Sequence, residues 1–255
     1  MKVSIITATY NSEATFRDTC TSVLQQQYTD IEHIVVDGGS SDGTVNIIKE
    51  FPHIKKWVSE KDKGLYHAIN KGIAMAEGDI IGILNSDDFL ASTDTIDAIV
   101  ETFKDEPIDA IYGDVVFVDR NNTSRIIRHY SSGRFSKWMF RFGIMPAHPS
   151  FYVRSELYKR LGVYKENYRI AADYELLMRF IRRFNISTRY LSQVIVYMRT
   201  GGVSNENLQA RYALNKEIVK ACKDNGVSTN MAFLTLKYFV KVFEFVTPLL
   251  KGQRK

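Results

Sequence analysis

Asp87 and Asp88 stand side by side at the end of the run GDIIGILNSDDFL, Gly78 to Leu90, directly after a stretch that reads as buried. Adjacent acids repel, and burying either one is costly unless it is paired or binds a cation. Two readings follow. One is a loop with a helix cap, since Asp is common where a strand stops. The other is a metal site at the carboxyl end of a sheet strand. A second run, VVDGGSSDGT, carries Gly38, Gly39 and Gly43, which let the backbone turn tightly and approach a ligand closely. Ser40, Ser41 and Asp42 can cap a helix beginning near Gly43. The run is not a dinucleotide fingerprint, because G-x-G-x-x-G is absent, nor a Walker loop, because no glycine-lysine-serine/threonine follows. His148, in MPAHPSF, lies between two prolines and is rigidly placed. It suits an acceptor side, a metal side or a purely structural imidazole.

The elements that must position these residues alternate in type. KVSIITAT, IEHIVVD, IKKWVSE and DIIGILN read as strands. SEATFRDTCTSVLQQQ, DGTVNIIKEF and GLYHAINKGIAMAEG read as the helices between them, the last ending at a glycine cap. Strands rich in Ile and Val, alternating with helices, predict an α/β fold with a mostly parallel, mixed sheet covered on both faces. Ligands bind such sheets beyond the carboxyl ends of the strands, where Asp37 and Asp87 both fall. After Leu90 the pattern changes. IDAIYGDVVFVD, SRIIRHYS and STRYLSQVIVYMRTG are expected as strands, AADYELLMRFIRRF as a helix, and the chain from about Leu208 as two helices.

Composition narrows the class further. The chain has 255 residues, enough for one large domain with a full core, and apolar and charged fractions ordinary for a globular protein. Its 34 basic against 29 acidic residues give a net charge of +5, which suits work near phosphates or a membrane face without demanding either. Cys20 and Cys222 are far apart and in no metal-ligand spacing, so a disulfide framework is not expected and a reducing compartment is the default. The N-terminal apolar run is too short for a signal peptide, and no stretch reaches the length of a spanning helix.

SIITATYN, VVDGGSSDGT, SEKDKGLYHAINKGI and GDIIGILNSDD, taken together and in order from Val3 to Asp88, resemble the family 2 glycosyltransferases. PAHPSF and AADYELLMRF extend the resemblance to about Phe184. It implies an inverting enzyme of the GT-A fold, Rossmann-like, that uses nucleotide-diphosphate sugars. Residues 1–205 would form the catalytic domain, with the nucleotide-sugar half at 1–90 and the acceptor half at 91–205, followed by C-terminal helices over 206–255. By position, Thr7, Thr9, Asn11, Asp37, Asp62, Lys71, Asn85 and Ser86 would bind the donor, Thr9 and Asp37 at the base and ribose. Asn85-Ser86-Asp87 falls where the family has D-x-D, so Asn stands where Asp is usual. Asp87 is then the main metal ligand, with Asp88 close behind, for Mn2+ or Mg2+. Such an ion acts as a Lewis acid on the departing nucleotide diphosphate. Lys63 and Lys71 are placed to reach phosphates or to form a solvated face, and His67 is given no role.

An inverting transfer also needs a carboxylate that takes the proton of the acceptor hydroxyl. Asp173 and Glu175 compete. Asp173, Leu176, Leu177, Phe180, Ile181 and Phe184 share one face by helical spacing, while Glu175 is expected to point elsewhere, with Arg179, Arg182 and Arg183 on more polar positions. Asp173 also matches the family's catalytic aspartate; its other reading is a helix cap. Two further readings compete with transfer: a nucleotide-sugar-binding protein without activity, and a sugar nucleotidyltransferase, whose glycine-rich basic loop TATYNSEATF lacks. The expected acceptor is a saccharide or polyprenyl-linked sugar; no nucleic acid is expected, and an oligomer stays open. RTGGVSN reads as a loop that closes over the donor on Gly201 and Gly202. The last 26 residues carry a wide apolar face with Lys237, Lys241 and Glu244 on one stripe. That face packs on the core or a second subunit, or lies on an anionic membrane with Lys251, Arg254 and Lys255 near the headgroups. The location implied is cytoplasmic, peripheral to the inner membrane if the tail binds it.

Overall fold

The computed structural model describes residues 1–201 and 208–235. β1 (Val3–Thr9), α1 (Phe16–Leu24), β2 (Ile31–Asp37), α2 (Thr44–Glu50), β3 (Lys56–Ser59), α3 (Leu65–Met75) and β4 (Ile80–Ile83) follow the predicted alternation. β1 is buried along its whole length because both of its faces are covered. Successive side chains point to opposite faces. Ile6 and Ala8 therefore join Ile34, Val36, Ile83 and the Tyr66, Ile69 and Ile73 side of α3. Val3 and Ile5 join the cluster on the other face. Gly72 lets α3 lie close to the sheet, since a Cβ there would fall 2.3 Å from Ile6 Cγ2. α3 does not end at a glycine cap. Ala76 turns to extended backbone, and Gly78 instead donates its amide to Ser4 Oγ at 2.9 Å and Glu32 Oε1 at 3.0 Å.

The chain continues through β5 (Phe89–Leu90), α4 (Thr95–Asp105), β6 (Ala110–Val118), β7 (Ile126–Tyr130), β8 (Tyr152–Arg154), α5 (Ser155–Leu161), α6 (Ala172–Leu177), β9 (Thr188–Arg199) and α7 (Leu208–Asp224). The nine strands among the described residues form one mixed sheet in the order β3-β2-β1-β4-β8-β6-β9-β5, with β7 added on β6. Pairing is parallel from β3 to β4 and turns antiparallel at β8. Gly82 is required at that junction, because a Cβ there would fall 2.2 Å from the Tyr152 ring. α7 packs against α6, with Ile218, Ala221 and Cys222 in the same cluster as Leu176 and Leu177. Among the described residues no helix is long and apolar enough to cross a membrane. The predicted donor-covering loop beyond Gly201 and most of the apolar tail fall on residues 202–207 and 236–255, outside the described residues.

The helix expected over AADYELLMRFIRRF is present, but its second half, Met178–Arg183, is a π-helical turn, closed by the Phe184 amide on Arg179 O at 2.9 Å. The wider turn shifts the faces from the predicted phase. Phe184 ends up exposed, whereas Glu175 and Arg179, expected on polar positions, are buried. Glu175 accepts Lys165 Nζ at 2.8 Å and Arg179 Nη2 at 3.1 Å, and Asn225 Nδ2 at 3.2 Å. Arg179 also donates to the carbonyls of Leu161, Gly162 and Val163, the last at 2.7 Å. Glu175 is thus the anchor of a buried ion pair that ties the 161–165 turn to the helix. Removing one partner strands the other charge. Arg179→Ala is expected to lower the unfolding free energy by about 3–5 kcal/mol, read from urea midpoints. A change under about 1 kcal/mol would show that Glu175 finds full compensation elsewhere.

Candidate active site

Parallel register brings the polar ends of the strands level: Thr9 pairs with Asp37, and Asp37 with Ser59. Asp37 is fully buried, and its carboxylate accepts the amides of Gly39 (3.2 Å) and Ser40 (3.0 Å), Ser59 Oγ (2.5 Å) and the Ser40 hydroxyl. Gly39 has φ +81°, the left-handed value this turn needs. Asn11 stitches the first loop to the second. Its amide donates to Ser40 Oγ at 2.8 Å, and its Oδ1 accepts the Ser41 amide at 2.9 Å. Thr7, expected at the donor, lies two residues inside the sheet, fully buried, with Oγ1 3.0 Å from His33 Nε2. It is not among the residues gathered at the strand ends.

Two buried oxygens at this edge find no partner among the described residues: Thr9 Oγ1 and Asp62 Oδ2. Unmet buried polar atoms are rare and point to a missing ligand or solvent. The other oxygen of Asp62 takes His67 Nδ1 at 2.8 Å and Lys71 Nζ at 2.6 Å, and Lys71 also meets Glu60 Oε1 at 2.6 Å. Tyr10 was not singled out in the sequence. Its side chain is 63% exposed, and its Cδ2 and Asp62 Oδ2 both lie within 4 Å of where a Gly38 Cβ would be. An aromatic face and an unmet carboxylate oxygen therefore flank the same glycine.

Beyond β4, Asn85 Nδ2 donates to Asp88 Oδ2 at 2.9 Å, and Ser86 Oγ meets Ser12 Oγ at 2.9 Å. Asp88 turns inward. It is 2% exposed, and its Oδ1 accepts the Arg199 amide at 3.2 Å. Burial, and then the neighbouring Asp87 charge, push its carboxyl up from 3.8 to about 8. Burial also raises Asp87, with Arg120 and Arg199 opposing. No hydrogen bond from another described residue reaches the Asp87 carboxylate. Arg199 is a second residue the sequence did not single out. It lies 6% exposed over the Phe89 ring, donates to Asp87 O at 2.6 Å and pairs with Asp18. Among the described residues no three acids, histidines or cysteines cluster as metal ligands. A hard divalent ion held by one or two carboxylates and completed by substrate phosphates and water fits this donor set. Asp87 would be the residue to hold such an ion, since Asp88 is occupied in holding the loop.

Asp173 is the second residue of α6 and partly buried. Burial raises its pKa, opposed by His148. His148 Nε2 lies 3.1 Å from Tyr164 Oη, and burial lowers its own pKa. Its neighbours are thus Tyr164 and Asp173, which places it beside α6 rather than with the Asn85–Asp88 loop. α3 spans the two regions. Its Tyr66 donates to Ile170 O at 2.5 Å, and Asn70 exchanges bonds with the Tyr164 backbone at 2.8 and 3.0 Å. A cleft of about 330 Å³ opens between the start of α3 and the 166–169 loop, lined by Leu65, Tyr66, His67, Tyr168 and Arg169.

The chain belongs to glycosyl transferase family 2, whose sequence model matches residues 4–162. A PGL/p-HBAD biosynthesis glycosyltransferase of Mycobacterium bovis is 32% identical over 209 residues, covering 79% of this chain and 78% of that protein. Its namesake in Mycobacterium tuberculosis matches to the same extent. TarS residues 1–349 from S. aureus, in complex with UDP-GlcNAc, shares the fold at TM-score 0.68 and 19% identity, covering 89% of this chain and 68% of that one. So does mannosyltransferase PcManGT from Pyrobaculum calidifontis in complex with GDP-Man and Mn2+, at TM-score 0.61 and 17% identity, covering 98% and 82%. The fold is GT-A and the protein is a glycosyltransferase.

The raised Asp88 carboxyl has a consequence for stability. Its pKa is higher folded, about 8, than the ordinary 3.8, so the native state binds more protons than the unfolded chain between those values. Its contribution is intact at low pH and is lost as pH rises toward 8. In metal-free buffer Asp88→Asn should therefore flatten the decline, gaining stability relative to the parent at pH 9 over pH 5. Urea titrations at both values measure the difference, and parallel pH profiles would contradict the assignment.

Proposed function

We propose that the protein is an inverting transferase that moves a sugar from a UDP-sugar to a saccharide or polyprenyl-linked acceptor. The observation that carries this reading is the separation of roles among its acids. Burial raises the pKa of Asp173, and no described residue forms an ion pair with it, while its neighbour Glu175 is committed to Lys165 and Arg179. A carboxylate of raised proton affinity is the better general base near neutral pH. In this reading Asp173 takes the proton of the acceptor hydroxyl, whose oxygen attacks the anomeric carbon as the nucleotide diphosphate leaves from the opposite face. Residues 1–90 serve the donor and residues 91–205 the acceptor.

On the donor side the base stacks on Tyr10, and Thr9 Oγ1 and Asp62 Oδ2 supply the polar contacts they lack within the chain. Asp37, Asn11 and Ser86 hold the three loops in place, with Asn85 orienting Asp88, and Lys71 pairs with Asp62 and orients it. Asp87 holds a divalent ion, Mn2+ or Mg2+. Such an ion, when bound, neutralises the diphosphate and favours its departure. UDP and a metal are supported by the UDP-GlcNAc complex of TarS and the Mn2+ complex of PcManGT, both at the level of shared fold. The acceptor enters by the cleft beside Tyr66, lined by His67, Tyr168 and Arg169, with His148 beside Asp173 on the acceptor side. A peripheral place on the cytoplasmic face of a membrane, reached through the basic, apolar C-terminal sequence, would present a lipid-linked acceptor.

Two variants test the assignments. Asp87→Ala is expected to lose the Mn2+-dependent gain in UDP affinity measured by calorimetry; an undiminished gain would remove the metal from Asp87. Asp173→Asn is expected to keep UDP affinity while turnover falls about 10²–10⁴-fold. The assay is nucleotide release from UDP-GlcNAc, UDP-glucose, UDP-galactose and GDP-mannose, each with alkyl glycosides as acceptors. Near-parental turnover in this variant would overturn the base, and preference for GDP-mannose would overturn UDP.

A further inference from the structure

Three consecutive amides just ahead of Asp173 converge on one carboxylate. Glu217 of α7 accepts Arg169 N–H on Oε1, and Ile170 N–H and Ala171 N–H on Oε2, each at 2.8 Å. α6 begins at the next residue, and its cap position is Ala171, which has no side chain to accept the free amides of a helix start. Glu217 accepts the cap amide of Ala171 and the two amides before it from a helix some 46 residues further along the chain. A carboxylate on backbone amides forms charge-assisted bonds, and a negative charge suits a helix N-terminus.

The grip extends along α7. Lys220 Nζ donates to Asn167 O at 3.2 Å, and Asp224 Oδ2 accepts Tyr168 Oη at 2.8 Å. Glu217, Lys220 and Asp224 follow helical spacing and form one face. From the opposite side Tyr66 holds Ile170 O. The backbone from which Asp173 projects is therefore clamped between α3 and α7, although no carboxylate of α7 was expected at the site.

We propose that Glu217 is a positioning residue of the transfer reaction, fixing the backbone of 169–171 so that Asp173 meets the acceptor hydroxyl in reactive geometry. The inference rests on the reading of Asp173 as the base. Small misplacements of a reacting group are costly, since near-attack geometry supplies much of the rate. The charge has a second effect. The titratable groups that face Asp173 are His148, Tyr66, Tyr164 and Glu217. Burial favours the neutral form of the first three, and Glu217 adds negative potential that favours the protonated base.

The test uses the full chain and the UDP-sugar and alkyl glycoside pair that gives the most nucleotide release. Glu217→Gln is expected to lower kcat by at least roughly tenfold at unchanged acceptor KM, with UDP affinity intact. Its acid limb in the pH–kcat profile is expected to move to lower pH, a shift that loss of a merely structural contact would not produce. Glu217→Asp, which keeps the charge, is expected to restore the parental limb while keeping part of the kcat loss. Lys216→Ala, on the exposed side of α7, serves as the control and should match the parent. A raised acceptor KM with parental kcat would make Glu217 an acceptor contact and overturn the proposal, as would parental kcat and limb in Glu217→Gln. If Glu217→Gln loses UDP affinity, Glu217→Asp decides: parental kcat there overturns the proposal, and a loss with intact UDP affinity supports it. Asp173→Asn is measured beside them. Parental turnover in that variant brings down the base itself, whereas an inactive Asp173→Asn beside a parental Glu217→Gln brings down the positioning role alone.

Discussion

Parallel pairing of β1, β2 and β3 sets three strand ends flush, and each end delivers a polar residue at the same level. Thr9 stands beside Asp37, Asp37 beside Ser59, and the Leu84 amide extends the β1–β4 ladder by donating to Ile6 O at 3.0 Å. The loops that follow are then near enough to stitch together, Asn11 to Ser40 and Ser41, and Ser12 to Ser86. The register is specified by burial on both faces. A slip of one residue along β1 would exchange its Ile6 and Ile5 sides and break two separate clusters at once. The geometry of the site is inherited from that packing.

The chain treats its buried acids in two ways. Glu175 is neutralised by Lys165 and Arg179 and satisfied by Asn225, so its desolvation is offset within the fold. Asp88 receives hydrogen bonds from an amide nitrogen and the Asn85 side chain, and Asp62 leaves one oxygen unmet. Asp173 accepts the Tyr174 amide at 2.7 Å and has no ion-pair partner among the described residues. Incompletely compensated buried acids are held at some cost to stability, and such groups cluster at functional sites.

The first half of the fold was legible because β1 and β2 are seven-residue runs rich in Ile and Val and glycines precede α2 and α3. Asp37 and Asp87 were legible as strand-end positions because the apolar runs of β2 and β4 stop at or just before them. The rest depends on contacts that no local pattern carries. β5 and β8 have two and three residues, too few for an alternation. The π turn at Met178–Arg183 moved Phe184 outward against the helical count, and the ion pairs of Glu175 with Lys165 and Arg179 buried it against the expected face. Arg199 reaches Asp87 across 112 residues; a lone arginine ending an apolar strand was its one visible sign. Glu217 sits in a helix whose sequence reads as an ordinary mixed-charge face.

α3 joins the two halves of the site more directly than the sheet does. His67 and Lys71, four residues apart, turn one face to Asp62. Tyr66 and Asn70, also four apart, turn another to Ile170 and Tyr164. Ile69, Gly72 and Ile73 supply the third, against β1 and its neighbours. Residues at that spacing lie one turn apart on the same side, so the donor-side acid and the loop before Asp173 are referred to a single rigid rod of about 16 Å. With α7 closing the far side of that loop, a displacement of Asp173 relative to Asp62 requires α3 or α7 to move as a body. The buried Ile6–Gly72 and Leu176–Ile218 contacts oppose such a motion.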